Sequence, residues 1–140
     1  MDVEMEYSDS YIKKILADVK TIALVGASKD SKKDSFKVMQ FLLQNDYQVI
    51  PVNPSQAGKH ILGQYCYADL HSVEEEVDMV DVFRRSEAVF DIAKDAINIR
   101  ANVLWTQLGV VDERAALMAK KAGLEVIMDK CPKIELQKKI

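Results

Sequence analysis

Apolar and β-branched residues in this chain come in short solid blocks, separated by longer stretches in which they recur every third or fourth position. The blocks are Thr21-Ile22-Ala23-Leu24-Val25, residues 47–52, Met79-Val80-Asp81-Val82-Phe83, residues 102–106 and residues 124–128. None alternates strictly with polar residues, which is the pattern of strands covered on both faces. The stretches between them predict helices. Ile12, Ile15, Leu16 and Val19 mark a first one, capped by Ser8, Asp9 or Ser10. Phe36, Val38, Met39, Leu42 and Leu43 mark a second over residues 35–45, ended by Asn45-Asp46; two more run over 86–99, with a cap at its start, and over 112–122. Gly123 stands where a helix end needs a left-handed residue. Asn53-Pro54 stops the second strand, because proline has no N–H to give a neighbour. In residues 55–77 the pattern predicts only short extended pieces at 61–63 and 65–67 and a helical turn at 72–77.

Strand alternating with helix implies an α/β fold: a single doubly wound, Rossmann-like domain whose mainly parallel sheet of about five strands is flanked by helices through right-handed crossovers. With 140 residues, 49% of them hydrophobic, the chain suffices for one core, so residues 1–140 are expected to form one domain with the helix within 1–19 packed on the sheet's edge or face.

Charge narrows the partners. Nineteen basic residues against 22 acidic ones give no global field for nucleic acid or an anionic membrane, so any anionic ligand must be met locally. Cys66 and Cys131 lack metal-site spacing, and no signal peptide or apolar run of about 20 residues occurs, which predicts free thiols in a soluble, cytoplasmic protein. No metal site is expected.

In a doubly wound sheet the ligand lies at the carboxyl ends of the strands, where the strand order reverses. That rule nominates residues 26–35, residues 53–59, the Phe83-Arg84 corner and residues 107–109, around which Lys29, Lys32, Lys33, Lys59, Arg84 and Arg85 cluster. Gly26 lets the chain turn where a side chain would obstruct a ligand, and helix-start amides beyond it suit a phosphate. A dinucleotide fingerprint is missing, since Gly26 is followed by Ala27-Ser28-Lys29, and Asn53 stands where a ribose-binding carboxylate is expected. NAD is disfavoured; a ligand with an additional phosphate near the lysines is left open.

Gly26-Ala27-Ser28, Lys33-x-Ser35-x-x-Val38, Pro51-Val52-Asn53-Pro54, Asp78-x-Val80-Asp81-Val82-Phe83-Arg84, Trp105-x-Gln107-x-Gly109 and Lys130-Cys131 together resemble the stand-alone CoA-binding proteins of the YccU-like family. The same segments are similar to the CoA-binding domain of the succinyl-CoA synthetase alpha subunit. The resemblance spans the chain from Lys20 onward. It implies coenzyme A, or an acyl-CoA, with its phosphates on Gly26, Ala27, Ser28 and the nearby Lys29, Lys33 and Ser35. Val38, Val52, Asn53, Pro54, Phe83, Arg84 and Gln107 are implied to complete the site, with the adenosine toward Asn53 and the Phe83-Arg84 corner. Lys59 matches a CoA-contacting lysine of the synthetase if the loop aligns without gaps. Lys33 and Lys130 stand where that family usually has arginine, which keeps the charge and loses the planar two-point grip on phosphate.

No catalytic constellation accompanies these motifs. His60 and His71 have no nucleophile beside them in the sequence and read as surface or capping residues. Asp81 interrupts an apolar strand and calls for a partner, either loop amides or Arg84. Trp105 reads as core packing, and Cys66 and Cys131 as buried thiols. The expected function is CoA binding without chemistry, as a carrier, sensor or regulator. The alternatives are an NADP-dependent oxidoreductase or a CoA-thiol exchange enzyme using Cys131. A homodimer or an unknown protein partner is compatible with the sequence.

Overall fold

The computed structural model describes residues 6–138, so the outermost residues of the expected 1–140 span, 1–5 and 139–140, lie outside the described residues. The strands are β1 (Thr21–Val25), β2 (Gln48–Val52), β3 (His60–Ile61), β4 (Gln64–Tyr65), β5 (Met79–Val82), β6 (Val103–Thr106) and β7 (Glu125–Ile127). The helices are α1 (Asp9–Asp18), α2 (Asp34–Gln44), α3 (Ser86–Asn98), α4 (Glu113–Lys121) and α5 (Pro132–Gln137). Five strands form one parallel sheet in the order β2-β1-β5-β6-β7, while β3 and β4 pair as a separate antiparallel hairpin. From β1 the chain adds β2 on one side and β5 on the other, so the winding reverses between β1 and β5.

Strand alternation sends side chains into two separate cores. Ile22, Leu24, Met79, Trp105 and Ile127 meet Ile12 and Leu16 of α1 and Met39 and Leu42 of α2. On the opposite face Ala23, Val80, Val82, Leu104 and Val126 meet Val89, Ala93 and Ala96 of α3 and Ala115 and Ala119 of α4. The first helix therefore packs on a sheet face. It is stitched there by Tyr11, whose hydroxyl donates to the Glu125 carboxylate, while the Tyr7 hydroxyl beside it accepts the Met128 N–H at 2.8 Å.

The helix starts fall into two kinds. Ser8 Oγ accepts the Tyr11 N–H at 3.1 Å and Asp112 Oδ1 accepts the Ala115 N–H at 3.0 Å, so α1 and α4 are capped by side chains. The N-cap positions of α2 and α3 are Lys33 and Arg85, and neither makes a side-chain capping bond. Ser86 does not cap the third helix; its hydroxyl instead accepts the Val111 N–H at 3.0 Å, tying that helix to the β6–α4 loop. Asp112→Ala should accordingly lower stability by about 1 kcal/mol, read as a shifted urea midpoint, whereas Arg85→Ala should leave the midpoint nearly unchanged.

Two sequence expectations need correction. Residues 72–77 form no helical turn. The turn comes earlier, as a 3₁₀ segment over Leu70–Ser72, because Asp69 Oδ1 accepts both the Ser72 hydroxyl and the Ser72 N–H at 2.9 Å, leaving Glu74, Glu75 and Glu76 exposed and unstacked. The pattern also contains α5, which the apolar blocks did not reveal; Pro132 at its first position, where the missing N–H costs nothing, is the signal that marks it.

Candidate functional site

The loop leaving β1 is built by backbone hydrogen bonds that extend the β1–β2 pairing. Gly26 N–H donates to the Val52 carbonyl at 2.8 Å and Ala27 N–H to the same oxygen at 3.4 Å. Gly26 has φ +93°, and a Cβ placed on it would lie 2.4 Å from the Phe83 carbonyl oxygen. The glycine is thus required by the chain's own β5 end, and not only by clearance for a ligand. It brings the loops after β1 and β5 into contact at the point where the winding reverses.

Asn53 braces this corner. Its Nδ2 donates to the Ala27 carbonyl at 2.8 Å, and its Oδ1 accepts the Ser55 N–H and hydroxyl at 3.0 Å each, so the amide holds two loops together. Ser28 Oγ accepts the Asp30 N–H at 3.0 Å and Asp30 Oδ1 accepts the Lys32 N–H at 2.9 Å, which folds the loop tightly before α2 begins.

Two of the three helices without a side-chain cap start beside the reversal point, α2 after β1 and α3 after β5; the third, α5, follows β7. The first-turn N–H groups of α2 and α3 and the positive ends of their dipoles suit an anion. Lys29, Lys32 and Lys33 are exposed beside one start, Arg84 and Arg85 beside the other. One carboxylate stands in each first turn, Asp34 or Glu87, fewer than the cations around it.

Two hollows open along the same edge. An open groove of about 480 Å³ lies between the ends of β5 and β6, lined by Phe83, Arg84, Ser86, Gln107, Gly109 and Val110. A narrower slot of about 150 Å³ lies by the ends of β1 and β2, where Val25, Val52 and Pro54 face Leu70 and Ile92 of α3's flank. Arg84 borders both. The four strand ends named from the sequence thus share one edge but not one cavity. Lys29, Lys33 and Lys59 are exposed and line neither hollow. Ala27 and Val38 are core residues, Val52 is buried against the slot, and Ser35 is buried at the start of α2. Sequence reasoning missed Leu70, Ile92, Asp69 and Asp95 as slot residues: the first and third sit in a segment without periodicity, and nothing in a helical repeat tells which flank borders a ligand.

The Gln107 side-chain oxygen is buried without a hydrogen-bond partner among the described residues. The same is true of both Asp81 oxygens. Asp81 does not hold loop amides or Arg84, contrary to expectation: it pairs across the sheet with Leu24 and Trp105, members of the core under α1 and α2, whereas Arg84 is exposed at the rim. Burial pushes its carboxyl well above the usual carboxylate range, which favours the neutral acid. Trp105 is fully buried, and its indole N–H is already given to the Lys130 carbonyl at 2.8 Å. His71 Nε2 meets Asp95 Oδ1 at 2.9 Å, and His60 lies edge-on to Tyr65 with ring centres 5.8 Å apart. Cys66 is fully buried, with its thiol pushed up by burial, and Cys131 is buried at the N-cap of α5.

A parallel sheet with a glycine-pinned reversal point, two uncapped helix starts and local cations defines a nucleotide-binding α/β domain. Within that class the chain belongs to the CoA binding domain family, whose model matches residues 20–137. It is 38% identical over 127 residues to the uncharacterized protein YneT of Bacillus subtilis (strain 168), covering 91% of this chain and 93% of that one. Among solved structures it is similar to cell-free ID.343 from Thermus thermophilus, with TM-score 0.89, 32% identity and 94% and 98% of the two chains covered. It is also similar to a hypothetical protein from Pyrococcus horikoshii OT3, with TM-score 0.88, 32% identity and 96% of each chain covered. No helix of the described residues is long and apolar enough to cross a membrane.

Proposed function

We propose that this edge of the sheet holds coenzyme A or an acyl-CoA and that the protein acts as a carrier, sensor or regulator with no reaction of its own. The observation that carries the reading is that two helices without side-chain caps, α2 and α3, follow the two strands that flank the reversal point, inside a chain of the CoA binding domain family. The diphosphate sits on the first-turn amides of α2 among Lys29, Lys32 and Lys33. The pantetheine arm follows the groove past Phe83 toward Gln107, whose unpartnered amide oxygen can accept an N–H from it.

Titration calorimetry with CoA, dephospho-CoA and 4′-phosphopantetheine tests this. CoA should bind, and dephospho-CoA should bind about tenfold more weakly, the loss of one charge-assisted phosphate contact. Absence of both heat and thermal shift with CoA, on a folded sample, ends the proposal.

A further inference from the structure

The four exposed residues of α3 are Glu87, Asp91, Lys94 and Asn98. Spaced four, three and four apart, they form one stripe along the outer side of the helix. Across this face α3 lies between flanks of opposite charge. On one flank residues 70–77 are tied to it by the 2.9 Å contact of His71 Nε2 with Asp95 Oδ1, and they carry the exposed Glu74, Glu75 and Glu76. On the other flank α4 presents the exposed Arg114, Leu117 and Lys121, with the Arg114 guanidinium 4.8 Å from the centre of the Phe90 ring of α3. Leu117 is 59% exposed, more than any other large apolar side chain among the described residues, and borders an open hollow of about 400 Å³ with Phe90 and Met118.

We propose that this face docks a second copy of the chain about a two-fold axis crossing the middle of α3. In such an interface residue i meets residue j of the other copy, and j meets i. An axis between residues 92 and 93 sets Asp91 against Lys94 of the other copy and Glu87 against its Asn98, because both pairs share that midpoint. Among the described residues neither Asp91 nor Lys94 forms an ion pair within its own chain, so both charges are free to pair across the axis. Lys94 stands over the Phe90 ring, 5.0 Å from its centre, which steadies the ammonium without neutralising it.

The flanks obey the same rotation. Glu74, Glu75 and Glu76 precede β5 and stand toward the amino ends of the strands, while Arg114 lies in the first turn of α4, toward their carboxyl ends. A half-turn about the middle of α3 exchanges both the two flanks and the two ends. The three carboxylates of each copy therefore meet Arg114 of the other, and Leu117 is covered together with the hollow beside it. A polyanion or a basic segment would meet charges of its own sign on half of this face, whereas a second copy brings the opposite sign to each half. Glu87 also lines the open groove, so the interface ends at that groove's rim. The pairing needs no bound ligand and is independent of the CoA reading.

Sedimentation velocity on the ligand-free chain is the direct test. The wild type should be dimeric at about 0.1 mM protein and should dissociate as salt rises from about 0.05 to about 0.5 M, because exposed ion pairs are screened. Asp91→Lys sets lysine against lysine across the axis and Lys94→Asp sets aspartate against aspartate, so each variant alone should weaken the dimer by about tenfold or more. An equimolar mixture of the two should dimerise again, since each copy then offers the charge that the other needs; an ion pair confined to one helix would give no such rescue. Urea midpoints near that of the wild type establish that both variants are folded. A wild type that stays monomeric at low salt overturns the proposal, whatever else then binds this face. A dimer indifferent to both reversals is built on another face and overturns it too, as does a mixture that stays monomeric. If one variant fails to fold, the response of the other alone decides.

Discussion

Gly26→Ala should cost roughly 2–5 kcal/mol of stability, a large part of the roughly 5–15 kcal/mol that holds a domain together. Two costs add. A residue with a Cβ at φ +93° gives up about 1–2 kcal/mol in the left-handed region. Its methyl would also lie 2.4 Å from the Phe83 carbonyl oxygen and 2.9 Å from the carbonyl carbon, and these are backbone atoms of a central strand's end that cannot swing aside. Relief requires the β1 and β5 loops to part, at a cost of about 1–3 kcal/mol by analogy with overpacked cores. The control is Gly123→Ala: its φ is +96° but nothing lies within 4 Å of its Cβ position, so only the backbone cost of about 1 kcal/mol applies. Urea unfolding of both variants measures the difference, and equal midpoints would refute the contact as the reason for the glycine. Because the same movement spreads the two helix starts, CoA binding should weaken in Gly26→Ala even at low temperature, where the variant is still folded.

How much of this was legible beforehand depends on whether the determining interaction was local. β1, β5 and β6 show as solid apolar blocks because both faces of a central parallel strand are buried, and Gly123 marked a helix end because its conformation is set by one residue. Family motifs, in their order, pointed to CoA. Other features rest on contacts between segments distant in sequence. The role of Asn53 as a brace depends on the Ala27 carbonyl, 26 residues away in the chain. Lys33 and Arg85 look like binding cations in the sequence; that they also leave their helices without a side-chain cap is visible only when the caps of α1 and α4 are laid beside them. The slot escaped notice because its walls come from β1, β2, residues 68–70 and one flank of α3, four segments whose periodicities say only that each is partly buried.

Asp81 should make the protein less stable as pH rises, the reverse of the usual carboxylate behaviour. Its side chain is 0% exposed and neither oxygen has a partner among the described residues, so burial raises its pKa well above that of an exposed aspartate. The unfolded chain releases this proton near pH 3.9, an approximate reference value, while the native state keeps it. Between those two values the native state binds more protons than the unfolded one, and stability falls by up to about 1.4 kcal/mol per pH unit. The contribution is whole below the unfolded value and is gone once pH passes the raised native one. Asp81→Asn removes the titration, so urea midpoints collected from pH 5 to 8 should lie on a flatter curve than the wild type's; parallel curves would mean that Asp81 is ionised in the native state. Asp81→Leu, set between Leu24 and Trp105, should exceed the wild type at neutral pH by about 1–3 kcal/mol, the cost of a buried polar group left unmade. With its proton kept, Asp81 adds no negative charge to the core between Leu24 and Trp105, so an anion at the sheet's edge is not opposed by it. Asp81→Asn should for that reason bind CoA as the wild type does, separating a residue that costs stability from the residues that hold the ligand.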